Sequence, residues 1–416
     1  MFKQILWPVL IPSVLFAIGA GAIMSVLVLA ALQVGASQGF AAILVGLMGA
    51  VSLCCTVPAG VLIDRLGDAR AMYAATAAAV VVLGLIAVSL AWHSPASLAL
   101  YTVGLMLFAP ITDVWSLARQ AVVAEVMPRE HLGKAMTALG GSMRAGQLIG
   151  PILGSALILV FPIWSVFVLA GVAGLAAVTV MSLPIARTLP APRQPAPQTA
   201  APGTDDLAYA SRRGRPALDV RWPPVILAGV AMVTLAIARA IQPVAVQLWG
   251  VEIGLHPSGI SLLIALGAAL ELILMFPGAY LKDRLGRVAT LFTCLAVFAI
   301  GFTLMVLSPS VTVMVVAVVV MALGNGIGAG VNMTIGADLS PSVGRARFLG
   351  IWALFTNVGK LGGPSLLSLL IVLVSLPAGI ASTGALAGFG ALWILLWRHR
   401  IGLPGRMPPR IQHPED

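Results

Sequence analysis

Apolar positions in this chain come in long unbroken runs, not in the alternation of a half-buried strand or the short stripes of a soluble helix. A helix needs about 20 apolar residues to cross a bilayer. Twelve stretches meet that length, near 6–32, 38–63, 71–92, 96–125, 135–160, 163–186, 225–249, 258–281, 288–308, 311–337, 346–374 and 377–397. The polar positions between them are sorted by side. One set of connections carries Lys3, Arg65, Arg70, Arg129, Lys134, Lys282, Arg284, Arg287, Arg345, Arg347 and the basic tail from Arg398. The other set carries no Lys or Arg, only Glu252, His93 and His256 as titratable groups. Basic loops stay cytoplasmic, so both termini are expected there. Trp7, Trp92, Trp164, Trp222, Trp249 and Trp397 fall near run ends, at the interfacial depth that suits an amphipathic ring.

The pattern breaks once. Residues 188–224, with Pro190, Pro192, Pro195 and Pro197 and then Arg212-Arg213-Gly214-Arg215, have no helical period. Such a Pro-rich polar stretch reads as an extended or disordered linker. It divides the chain into an N-terminal six-helix bundle (1–187), a linker (188–224), a C-terminal six-helix bundle (225–398) and a basic tail (399–416). The first apolar run far exceeds the ~7–15 residues of a cleavable signal core, so it reads as a retained helix.

Composition narrows the function. The 416 residues are 60% apolar and only 9% charged, with a formal net charge of +10. Soluble domains carry about 25% charged residues, so the chain is an integral membrane protein, and its basic residues punctuate spans instead of forming a nucleic-acid stripe. Cys54, Cys55 and Cys294 lie inside apolar runs, and all five histidines lie in loops or tails. No metal-ligand set is therefore expected within the membrane. The phosphate-cradling G-x-x-x-x-G-K-[ST] loop is missing from the sequence, which argues against direct ATP drive.

The two halves repeat. Pro58-Ala-Gly60-Val-Leu-Ile-Asp64-Arg65-Leu66-Gly67 closes the second run, and Pro277-Gly278-Ala-Tyr-Leu-Lys-Asp283-Arg284-Leu285-Gly286 closes the eighth. Ala124-Glu125-Val-Met-Pro128 is matched by Ala337-Asp338-Leu-Ser-Pro341, and Gly146-Gln-Leu-Ile-Gly150-Pro151 by Gly359-Lys360-Leu-Gly-Gly363-Pro364. Three pairs in one order predict an all-α membrane protein of two six-helix bundles related by a pseudo-twofold axis along the membrane normal, with a cavity between them. The segment from Gly60 through Asp64 and Arg65 to Arg70 resembles the signature between helices two and three of the major facilitator superfamily. Helix count, linker placement and the second copy at Asp283-Arg284 extend the resemblance over the whole chain. It implies a secondary transporter working by alternating access, with Asp64, Arg65, Arg70, Asp283, Arg284 and Arg119 as cytoplasmic gate residues. The fifth run holds Gly146, Gly150, Pro151 and Gly154, a nearly side-chain-free face that admits a neighbouring helix closely. Pro151 also frees the Gln147 carbonyl from its helical partner. This resembles the family's helix-five motif, associated with exporters; Ser155 stands where the family has a second glycine.

A charge at mid-bilayer costs at least ~2.5–3.5 kcal/mol, so each one within a run needs a reason. Asp113, Arg239, Glu271 and Lys360 are expected near the midplane, with Arg144 and Arg119 nearer the cytoplasm. The third, sixth, ninth and twelfth runs hold no charge between their ends, and the resemblance implies that these four are the peripheral, lipid-facing helices. Asp113 and, second, Glu271 are the candidate proton carriers; purely structural pairing of these charges is the alternative. Arg144, Arg239, Gln242, Asn325, Asn332, Lys360, Trp115, Met24 and Ser25 are the candidate cavity residues. The excess of basic over acidic groups at depth favours an anionic or neutral amphipathic solute. The expectation is a drug/proton-antiporter-like exporter of small organic compounds, non-enzymatic, cofactor-free and metal-free, powered by the proton gradient. It is expected to be a multi-pass monomer in the plasma (inner) membrane, with lipids and a small solute as its partners. An importer or facilitator of the same fold is the alternative, and a non-transporting sensor or a membrane-embedded enzyme lies further off.

Overall fold

The structure is a computed structural model that describes residues 5–92, 94–127, 129–183, 220–341 and 345–403. Residues 184–219, which take in the end of the N-terminal bundle and most of the linker, 404–416 of the tail, and the side chain of Asp283 lie outside the described residues. Twelve long helices follow in the order the apolar runs predict: α1 (Leu6–Gln33), α2 (Gln38–Leu66), α3 (Asp68–Trp92), α4 (Ser97–Val126), α5 (Arg129–Ile158), α6 (Trp164–Ser182), α7 (Trp222–Glu252), α8 (Pro257–Leu285), α9 (Arg287–Leu307), α10 (Val311–Leu339), α11 (Arg345–Leu373) and α12 (Leu376–Leu396). A short helix α13 (Arg398–Ile401) opens the tail. The C-terminal bundle thus begins at Trp222, three residues inside the stretch expected to be linker. All of the twelve except α5 are long and apolar enough to span a bilayer by composition alone. In α5 the polar residues Ser142, Arg144 and Gln147 dilute the apolar signal.

Local chemistry sets the boundaries. The hydroxyl oxygens of Ser37, Ser310 and Ser375 accept the amide hydrogens of Phe40, Val313 and Ala378, capping the starts of α2, α10 and α12. Gly67 and Gly286 adopt φ of +82° and +85° at the ends of α2 and α8, so the repeated Asp-Arg-Leu-Gly closes each helix with the residue that tolerates this backbone. α10 is broken in the middle of its glycine run. Its first part ends at Gly328, Gly330 turns left-handed (φ +76°), and a second part restarts at Val331.

Helix packing reproduces the sequence repeat. In the first half α1 packs on α5 and α6, α3 on α4 and α6, and α2 on α4; in the second, α7 packs on α11 and α12, α9 on α10 and α12, and α8 on α10. The lobes meet through α2 with α11 and its symmetry counterpart α8 with α5. The glycine faces explain the closest approaches. A Cβ at Gly146 or Gly150 would overlap the α1 backbone around Ala17, Ile18 and Ala22, and one at Gly359 would overlap α7 at Ala236. At Gly363 it would lie 3.1 Å from the Ile237 carbonyl. Outward, α3, α6, α9 and α12 present exposed Val81, Leu85, Val172, Leu175, Ile300 and Leu392, the apolar perimeter that lipid requires.

Candidate functional site

Between the lobes lies a cavity of about 350 Å³, bounded by α1 and α5 on one side and α7, α8 and α10 on the other. Its wall is mainly apolar, with Met24, Val246, Leu263, Ile264 and Val318, and its polar residues are Arg144, Gln147, Arg239, Gln242, Glu271 and Asn325. Seams of this kind between helices are where bundle proteins place ligands.

The polar residues form one connected group. Glu271 of α8 faces Arg144 of α5 at 3.5 Å, a charge pair that crosses from one lobe to the other. Asn325 of α10 donates to Glu271 Oε1 at 2.6 Å and to Gln242 Oε1 of α7 at 3.1 Å. Arg239, one turn before Gln242, donates at 3.1 Å to the carbonyl of Gly328. That carbonyl lies at the end of the first part of α10, whose partial negative charge attracts a cation, and it also accepts the Val331 amide hydrogen at 3.1 Å. The break in α10 is thus tied to the polar group that lines the cavity. The Arg144 side chain is 47% exposed and that of Glu271 19%.

On the side away from the Lys/Arg-rich loops the lobes are stitched together. Gln247 of α7, 1% exposed, accepts the Val28 amide hydrogen at 2.9 Å and donates to the Met24 carbonyl at 3.0 Å. Ser25 and Ser261 share a 2.7 Å hydroxyl contact, and Ser261 donates on to the Pro151 carbonyl at 3.0 Å. Ser155 donates to the Ser258 carbonyl (2.8 Å), Ser368 to the Gly39 carbonyl (2.7 Å), and Gln38 to Glu252 (3.1 Å).

The sequence candidates separate on this map. Met24, Arg144, Arg239, Gln242, Glu271 and Asn325 line the cavity, while Gly146, Gly150 and Pro151 shape the helix that carries Arg144. Five others lie elsewhere. Ser25 is in the seam beneath Met24, since neighbouring helical residues point about 100° apart. Asp113, ranked first as proton carrier, accepts a hydrogen bond from the Ser52 hydroxyl within the N-terminal lobe and is not part of the cavity wall. Trp115 is buried within that lobe, its ring stacked on Phe16 at 4.0 Å. Asn332 follows the break in α10, and both its carbonyl oxygens, backbone and side-chain, receive the Trp352 indole N–H (3.1 and 2.9 Å). Lys360 is exposed on α11 outside the cavity wall. Of the gate candidates, Asp64, Arg65, Arg70 and Arg284 are exposed at the basic face. Arg119 is instead buried, 4.6 Å over the Trp115 ring and donating to the Met143 sulfur, so its place is inside the N-terminal lobe. Gly154 faces Ser261 and Val166 with room for a methyl group. Gln147, Gln247 and Ser261 are the residues sequence reasoning missed. A lone Gln in the apolar run Val244-Ala-Val-Gln247-Leu-Trp249 was the available signal, because a buried carboxamide needs a partner from another helix.

Comparison with known proteins agrees with this architecture. A family model described as the Major Facilitator Superfamily matches residues 9–238 and 227–411. No curated protein matches the sequence. Among solved structures, a POT family transporter in complex with 5-aminolevulinic acid is similar at 14% identity and a TM-score of 0.74, over 94% of this chain and 95% of that one. A bacterial homolog of the human lysosomal transporter Spinster, in an inward-facing and occupied conformation, is similar at 13% identity and a TM-score of 0.70, over 97% and 98%. The human organic anion transporter MFSD10 (TETRAN) gives 15% identity and a TM-score of 0.62, over 94% and 99%.

Proposed function

This chain belongs to the Major Facilitator Superfamily and is a multi-pass membrane transporter, not an enzyme; from that premise we propose that it exports small amphipathic organic compounds in a cycle coupled to protons. The observation that supports coupling is the position of Glu271. Its carboxylate is shared between Arg144 of the opposite lobe and Asn325 of its own, on the wall of the cavity. A proton on Glu271 cancels the attraction to Arg144 and weakens a tie between the lobes. Loss of the proton restores that tie. Charge at the lobe boundary then depends on proton occupancy, and alternating access makes that occupancy answer to each side in turn. Asp113 has no such position, and the coupling role passes to Glu271.

The export direction rests on the Gly/Pro face of α5, which resembles exporters. The Lys/Arg-rich face is taken as cytoplasmic by the positive-inside rule. The protein would act as a monomer in the plasma (inner) membrane, with the proton gradient as its energy source and without a cofactor.

Transport in proteoliposomes under an imposed pH gradient tests the coupling. Glu271→Gln should abolish accumulation against a solute gradient while leaving exchange down it. Asp113→Asn should keep most accumulation. Undiminished uphill transport by Glu271→Gln would refute the proposal.

A further inference from the structure

We infer that the cavity selects compounds that join one carboxylate to a compact apolar body, and that Arg144 is the group that receives the carboxylate. This names the solute class of the transporter proposed above and rests on that reading for its role in transport.

The charge lining the cavity does not balance. Two guanidinium groups, Arg144 and Arg239, face it with one carboxylate, Glu271. An uncompensated charge in a low-dielectric site is costly, and a solute bearing one negative charge removes the imbalance. Of the two cations, Arg239 is already engaged by the Gly328 carbonyl at the broken end of α10. Arg144 is held only loosely, because its 3.5 Å approach to Glu271 exceeds the 2.7–2.9 Å of a charge-assisted hydrogen bond. It is also half exposed to the cavity and carries five donors in a planar fork that fits a carboxylate in two-point contact.

The competing acid has a second holder. Asn325 grips Glu271 Oε1 at 2.6 Å and is itself held by Gln242, so Glu271 keeps a partner when a solute takes Arg144. Gln147, three residues along α5 and on the same face as Arg144, adds a neutral donor to the cavity wall. Around this polar patch, Leu263, Ile264, Val246 and Val318 offer apolar surface without charge. A volume of about 350 Å³ lies at the small end of ligand pockets, which limits the apolar part to about one ring or a short chain. A cationic head of equal size would meet two like charges there.

Three probes that share a body and differ in head group test the inference: 4-phenylbutyrate, 4-phenylbutylammonium and 4-phenylbutanol. Binding to purified full-length protein is measured by titration calorimetry at neutral pH, with no gradient. The carboxylate should bind at least tenfold more tightly than the ammonium and the alcohol. Arg144→Gln should erase that preference, and Arg144→Lys should retain part of it. Glu271→Gln should bind the carboxylate at least as tightly as the parent chain, because the competing acid is gone. Equal or tighter binding of the ammonium or the alcohol, no binding of any probe, or an intact preference in Arg144→Gln would overturn the inference. The measurement needs no proton gradient. Carboxylate selectivity together with coupled transport by Glu271→Gln would sink the coupling proposal alone, and the reverse pattern would sink only this one.

Discussion

Gln247 of α7 accepts the backbone hydrogen of Val28 in α1, and its amide nitrogen donates to the Met24 carbonyl four residues earlier. Those two backbone groups are the i and i+4 partners that a helix normally pairs with each other. A side chain from one lobe thus bonds both members of a backbone pair in a helix of the other. The sequence shift that relates Asp64 to Asp283 also relates Val28 to Gln247, so the contact joins two positions equivalent by the internal repeat. When the lobes part on this side, α1 can close its own ladder and leave no backbone group unsatisfied.

Gln247→Leu should therefore loosen the far-side seal without unfolding α1. Two lost hydrogen bonds at about 0.5–1.5 kcal/mol each sum to about 1–3 kcal/mol, so the ratio of open to closed far side should rise by roughly five- to 150-fold. The check is alkylation by a membrane-impermeant maleimide of a reporter cysteine at Ser258, with Cys54, Cys55 and Cys294 replaced. An unchanged labelling rate in Gln247→Leu would show that the seal does not depend on this contact.

Gly150→Ala should lower thermal stability where Gly154→Ala does not. A methyl group at Gly150 runs into the Ile18 carbonyl and the Ala22 amide, both rigid backbone, whereas at Gly154 the nearest atom is 3.7 Å away. Overpacking of this kind costs about 1–3 kcal/mol. Unfolding of the purified variants in detergent, followed by intrinsic tryptophan fluorescence, separates the two.

Asn325→Ala and Asn332→Ala should differ in kind. Asn325 holds Glu271 and Gln242, so its loss should shift the pH dependence of transport and weaken solute affinity. Asn332 receives the Trp352 indole hydrogen outside the cavity, so its loss should cost about 1 kcal/mol of stability and leave affinity within twofold. Transport assays across pH, paired with melting curves, distinguish these outcomes.

Asp338→Ala should destabilise the C-terminal lobe. Asp338 near the end of α10 binds the Arg287 Nε at the start of α9 at 2.9 Å, and the Arg287 side chain is only 7% exposed. Removing one partner of a largely buried pair leaves the other uncompensated, at a cost of about 3 kcal/mol. Chemical denaturation of the variant against the parent chain measures it.

Much of this architecture could be read from residue order, because lipid makes simple demands. Spans are long and apolar, loops sort by Lys and Arg, and repeated Gly, Pro and Asp positions mark equivalent turns. The site was less legible, for reasons visible at particular residues. Asn325 and Asn332 are seven apart and share a face of an unbroken helix, but the left-handed Gly330 between them turns the second away. Residue order puts Arg144 nearer the basic face than Glu271, yet the two face each other across the lobe boundary. Met24 and Ser25 are neighbours in the chain, yet one lines the cavity and the other the seam. Gln247 carried no motif at all, since its partners are backbone groups that every residue possesses.

Helix α1 is gripped from two directions: by the glycine face of α5, which leaves no room for sliding, and by Gln247 from beyond the lobe boundary. Because α5 also carries Arg144, one rod assembly touches both the far-side seal and the residue proposed to receive the solute's carboxylate. On the proposed reading, unlatching the far side and prising Arg144 from Glu271 are one displacement. A passenger that satisfies Arg144 slackens the same machinery that must swing open to release it.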